Sequence, residues 1–158
     1  MSRIGDALHR LEETANRKTA FIGLGNRDRG DDAVGLRFAE DLRRLNPNRI
    51  FSEEQGLEEV VLDILMRKDV HSVIFVDTCD FGAEPGEIAF LQSDDIGDEI
   101  STHKVPLAML MALIQKEGKK AYFVGIQPES LDFGKDISEI ASASLKRIEE
   151  AVEKKLRL

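Results

Sequence analysis

Apolar residues recur along the chain in two rhythms. Short, nearly continuous apolar runs at residues 20–24, 49–52, 72–77, 87–91 and 121–126 are bounded by glycine, proline or charge, and they predict five β-strands. Between them the spacing turns helical. Phe38, Leu42 and Leu45 share one helix face, Leu57, Val60, Val61, Ile64 and Leu65 share another, and the stretch VPLAMLMALI at 105–114 is almost wholly apolar. Toward the end, Ile137, Ile140, Ala141, Leu145, Ile148 and Val152 trace a long amphipathic helix. Ile4, Leu8 and Leu11 predict an extra helix within residues 1–18, ahead of the first strand. Strands alternating with helices in this way predict an α/β fold, a three-layer α/β/α sandwich on a mainly parallel, twisted sheet of five strands.

Composition narrows what such a fold does. The 158 residues are expected to form one domain. A formal net charge of −8 argues against a nucleic-acid partner, whose phosphates attract clustered lysine and arginine. No apolar run approaches the ~18 residues of a membrane helix, and the first residues lack the apolar core of a secretory signal, so a cytoplasmic protein without membrane insertion is expected. A single cysteine, Cys79, excludes an internal disulfide and a cysteine-built zinc cage.

In an open α/β sheet, ligands bind beyond the carboxyl ends of the strands. That rule singles out Asp31 and Asp32, in the loop GLGNRDRGDDAVG after the first strand, Asp77 at the end of VIFVD, and His103 in STHKVPL. Two carboxylates and an imidazole suit nickel or zinc better than magnesium. Each residue also has a plainer reading. The aspartates could favour the dipole at a helix start, Asp77 could cap a loop, and His103 could be a loop residue. A dinucleotide site fits poorly, because Asp31 and Asp32 would repel a pyrophosphate at the helix start. A receiver-like signalling module also clusters aspartates at strand ends, but it needs a lysine after the last strand, where this chain has Gly125, Ile126, Gln127 and Pro128. A non-catalytic metal-binding module of the same fold is the other alternative.

Four motifs in order carry a resemblance. GLGNRDRGDDAVG is similar to the G-x-G-N-x-x-x-x-D-D/E-x-x-G signature of the nickel-iron hydrogenase maturation endopeptidases, and FVDTCDFGAEPGEI resembles their second motif. STHKVPL resembles their S/T-x-H segment, and GIQPESLDFG the stretch after their last strand. The resemblance runs from about Phe21 to the C-terminal helix and implies a phosphorylase/hydrolase-like sheet. It also implies an endopeptidase that removes a C-terminal extension from a hydrogenase large-subunit precursor after nickel insertion. Residue by residue, it carries the roles of metal contact and catalysis onto Asp32, Asp77 and His103. The nickel then belongs to the precursor, and zinc or cadmium is expected to replace it in vitro.

Two stretches depart from the family pattern. Arg27, Asp28 and Arg29 stand where uncharged residues are common, and FSEEQGLEE replaces a glycine-rich turn after the second strand. Both flank the expected site, where they bear on which precursor is accepted.

Overall fold

The structure is a computed structural model that describes residues 3–96 and 106–157. Five strands form one sheet: β1 (Thr19–Gly23), β2 (Ile50–Ser52), β3 (Ser72–Thr78), β4 (Ile88–Gln92) and β5 (Lys120–Ile126), in the order β2-β1-β3-β5-β4. The helices are α1 (Arg3–Thr14), α2 (Val34–Leu42), α3 (Leu57–Met66), α4 (Leu107–Lys116) and α5 (Glu139–Leu156).

Side-chain alternation along each strand sorts the helices into two layers. Phe21, Ile74, Val76 and Val124 face α1, α2 and α5, whereas Ala20, Ile22, Val73, Phe75 and Phe123 face α3 and α4. Both faces are covered, which is why the strands read as continuous apolar runs. The largest fully buried side chains include Phe21, Phe38, Phe75 and Phe123, each contributing on the order of 2–3 kcal/mol of burial. Phe21 on β1 meets Phe38 on α2 with ring centroids 5.7 Å apart, fixing that helix to the sheet.

The start of α2 lies unusually close to the strands. A Cβ on Gly35 would overlap the carbonyl oxygens of both Leu24 and Val76, so only glycine lets the helix settle there. This close approach brings the residues just before α2 to the carboxyl ends of β1 and β3.

β1, β2, β3 and β5 run parallel, and β4 runs antiparallel to β5, pairing Ile88 with Ile126 and Gln92 with Tyr122. The chain therefore leaves β4 at the amino end of β5, not at the carboxyl edge. The antiparallel β4 departs from the rule by which the loop after that strand is expected to open at the carboxyl edge, and His103, between β4 and α4, lies outside the described residues. It is α4, packed on β5 and leading back to that strand's start, that begins toward the carboxyl edge.

Candidate active site

Asp31 and Asp32 sit in a 3-10 turn, Gly30–Ala33, that leads into α2. Both are buried, yet they face different work. The Asp31 carboxylate accepts from the backbone N–H of Ser138 at 2.6 Å and of Glu129 at 2.8 Å, and from the Ser138 hydroxyl at 2.9 Å. It anchors the loop between β5 and α5, together with the Ser138 hydroxyl that caps α5 through the Ala141 N–H. Asp31 is thus a brace between two parts of the chain about a hundred residues apart.

Asp32 turns toward β3. Thr78 Oγ1 donates to Asp32 Oδ1 at 3.1 Å and lies 3.4 Å from Asp77 Oδ1, so one hydroxyl stands between the two carboxylates. The backbone N–H of Thr78 donates to Asp77 Oδ1 at 2.7 Å. All three residues are at most 5% exposed. Alternation on β3 explains the arrangement: Thr78 follows Ile74 and Val76 onto the α2 side, where Asp32 stands. Asp77 follows Val73 and Phe75 onto the side of α3 and α4. Sequence reasoning missed Thr78; its one signal was a hydroxyl beside a strand-end aspartate in FVDT.

The first loop is held closed around this pair. The Asn26 N–H donates to the Asp32 carbonyl at 3.1 Å, and the Gly25 N–H donates to Glu53 Oε1 at 2.6 Å. Gly25 has φ 138°, and a Cβ there would overlap the Asp32 carbonyl oxygen. Arg27 reaches across to Glu54, at 2.7 Å through both Nε and Nη2.

Two further polar groups at this edge have structural surroundings. Gln127, at the end of β5, accepts from the N–H groups of Phe81 and Ala83 and donates to Asp80, fixing the loop after β3 where a receiver would need a lysine. Cys79 is buried, and burial, reinforced by the charges of Asp77 and Asp80, pushes its thiol up to about 12. It is not poised as a nucleophilic thiolate.

Of the three residues expected to meet a metal, the structure brings Asp32 and Asp77 together; His103 lies outside the described residues. Among the described residues there is no group of three or more histidine, cysteine, aspartate or glutamate side chains that could hold a metal ion. No described helix is long and apolar enough to cross a membrane.

Fold and site together define an α/β protein whose polar centre pairs a buried acid in the turn before α2 with one at the end of β3. Comparison with known proteins gives the family. The profile described as HycI, hydrogenase maturation protease, matches residues 57–155, well over half of the 158, and the chain belongs to that family of peptidases. Asp77 and His103 fall within the matched stretch, whereas Asp32 precedes it. The hydrogenase 3 maturation protease of Escherichia coli K12 is 29% identical over 117 residues, covering 72% of this chain and 74% of that protein. The crystal structure of HycI from Thermococcus kodakarensis superposes with a TM-score of 0.79 at 28% identity, covering 94% of this chain and 99% of that one. The solution structure of the E. coli endopeptidase HycI gives a TM-score of 0.73 at 26% identity, over 87% of this chain and 90% of that one.

Proposed function

We propose that this protein removes the C-terminal extension of a nickel-iron hydrogenase large-subunit precursor in the cytoplasm after nickel insertion, with Asp32, Asp77 and His103 meeting the nickel that the precursor carries. The observation that supports this reading best is the pair of buried carboxylates sharing the Thr78 hydroxyl at the carboxyl edge of a hydrogenase maturation protease fold. Two carboxylates brought together at the ligand-binding edge of an α/β sheet offer oxygen donors to a divalent cation. A borderline divalent ion such as nickel accepts carboxylate oxygen and imidazole nitrogen together.

The metal enters with the substrate, so it serves as recognition signal and anchor at once. A precursor without nickel presents the same peptide but no ion for the carboxylates, and specificity follows from that difference in binding. Cleavage adds one water across one amide, giving a carboxylate on the mature subunit and a free amine on the released peptide. No serine, cysteine or zinc-helix machinery supplies the chemistry in the sequence.

Intact-mass measurement of large-subunit precursor incubated with the protein, with and without nickel loaded, tests the reading. Loss of a C-terminal fragment from the loaded precursor alone is expected. Equal cleavage of the nickel-free precursor would overturn the nickel-reading role, and no cleavage of the loaded one would overturn the assigned reaction.

A further inference from the structure

The turn after β2 brings a further carboxylate to the carboxyl edge. Glu53 follows β2 directly, and β2 lies on the other side of β1 from β3, the strand that carries Asp77. A capping box fixes its place: the Ser52 N–H donates to Gln55 Oε1 at 2.9 Å, and the Glu54 N–H to Ser52 Oγ at 3.1 Å. Glu54, next to it, is gripped by Arg27 of the first loop. The stretch FSEEQGLEE departs from the family pattern, so this acid is a feature of this chain and not of the motifs that carry the resemblance.

The group that Glu53 meets is Gly25. Glu53 Oε1 accepts from the Gly25 N–H at 2.6 Å, a short bond to a carboxylate. On the same residue, a Cβ would overlap the Asp32 carbonyl oxygen and stand 3.5 Å from Asp77 Oδ1. One side of Gly25 thus faces Glu53 and another faces both acids of the candidate site. Asp77 Oδ1 has Thr78 as its other neighbour, with the N–H at 2.7 Å and Oγ1 at 3.4 Å, and the same hydroxyl reaches Asp32. The Asn26 N–H then donates to the Asp32 carbonyl at 3.1 Å. Two consecutive N–H groups therefore tie the first loop to the end of β2 and to the turn that holds Asp32. Gly25, at φ 138°, has backbone freedom and no side chain to pack, so its hydrogen bond is what holds it.

We infer that Glu53 is a positioning residue for the candidate active site: by holding the Gly25 N–H it sets the clearance between the first loop and Asp77 Oδ1, and with it the placement of the Asp32–Asp77 pair. The inference rests on the function proposed above, in which those two acids meet the nickel. A carboxylate that meets a metal keeps its aim only while its surroundings are fixed, and losing such an outer partner costs about 10–100-fold in affinity or activity. Released from Glu53, Gly25 is free to move toward or away from Asp77, and a misplacement of about 1 Å near a reacting centre costs on the order of a hundredfold.

Glu53→Ala withdraws the acceptor, whereas Glu53→Gln keeps an oxygen for the Gly25 N–H and removes only the charge. In steady-state processing of nickel-loaded precursor, kcat/KM should fall about tenfold or more for Glu53→Ala, and Glu53→Gln should recover most of it. Both should melt near the wild-type Tm, because the side chain is only partly buried. The carboxyl carbon NMR resonances of Asp32 and Asp77, which need no substrate, should move in Glu53→Ala and return toward wild type in Glu53→Gln. Wild-type processing by Glu53→Ala, or a loss that only tracks a lowered Tm, would overturn the positioning role. So would a Glu53→Gln protein as slow as Glu53→Ala, because the charge and not the bond would then be what matters. If wild type cuts no loaded precursor, the proposed function fails and the resonances alone decide: unmoved in Glu53→Ala, they overturn the role of Glu53 on their own.

Discussion

Arg27 grips Glu54 with two nitrogens, each 2.7 Å from a separate carboxylate oxygen. One residue comes from the first loop and the other from the turn after β2, the two stretches that depart from the family's usual pattern. Each departure is the other's partner. Neighbouring Glu53 adds a second tie by accepting from the Gly25 N–H at 2.6 Å. Together these bonds hold the loop that presents Asp32.

The pair is exposed, so its energetic effect is small and dependent on pH. Arg27 holds the Glu54 carboxyl below its ordinary value of 4.5, and Glu54 holds the Arg27 guanidinium above its own. A carboxylate with a lowered folded value contributes stability that is present above the unfolded value and lost as pH falls through the folded one. Arg27→Ala should cost below about 1 kcal/mol near neutral pH, with the gap from wild type closing in acid and in about 1 M salt. Urea unfolding across that range checks it; a gap that persists in acid would mean that Arg27 acts through packing.

Glu149 has the opposite sign. It is half-buried on α5, and its Oε2 is buried without a hydrogen-bond partner. Burial, then the hydrogen bond and charge of Asp41, push its carboxyl up to about 9, with Glu153 adding to the rise and Arg37 opposing it. A carboxyl raised in the folded state lets the unfolded chain ionise first, so stability falls as pH rises from 4.5 toward 9. Glu149→Gln should flatten that fall and be more stable than wild type near pH 8 by about 1 kcal/mol, a figure reduced for partial solvent screening. Parallel pH profiles for the two proteins would remove Glu149 as the cause.

The strands and their order of appearance are legible in the sequence because burial on both faces leaves continuous apolar runs. The direction of β4 is not, since an apolar run such as IAFLQ reads the same either way. Asp77 is legible as an acid at a strand end, and Asp31 and Asp32 as acids in the loop after the first strand. The division of work between Asp31 and Asp32 is hidden because the partners of Asp31 are Glu129 and Ser138, about a hundred residues away, and no local spacing announces them. Thr78 is hidden for a different reason: its role depends on which sheet face α2 covers.

If Thr78 positions the carboxylate pair, removing its hydroxyl should act on the reaction more than on folding. Thr78→Val keeps the volume but withdraws the donor from Asp32, and a hydrogen bond to a charged acceptor is worth about 1.5–3 kcal/mol. Processing of nickel-loaded precursor should fall about ten- to a hundredfold, and Thr78→Ser, which keeps the hydroxyl, should recover most of it. A merely structural threonine would show no recovery with serine beyond that seen in thermal stability, so comparing kcat/KM and Tm across the three proteins separates the roles.

The two adjacent acids should part company under the same conservative change. Asp31→Asn turns one acceptor oxygen into a donor facing the N–H groups of Glu129 and Ser138, so it should destabilise the fold by about 2–4 kcal/mol through loss of buried charge-assisted bonds. Loosening the loop that Asp31 holds should also blunt processing, but only in step with stability. Asp32→Asn keeps an oxygen for the Thr78 hydroxyl and should cost the fold less, while removing the charge that the proposed nickel contact needs. Processing should then be lost in a protein that still unfolds cooperatively near the wild-type midpoint. Urea titration and mass-resolved processing of both variants test the division. An active Asp32→Asn protein would return Asp32 to the status of a buried structural acid, and a stable but inactive Asp31→Asn protein would move the chemistry one residue back.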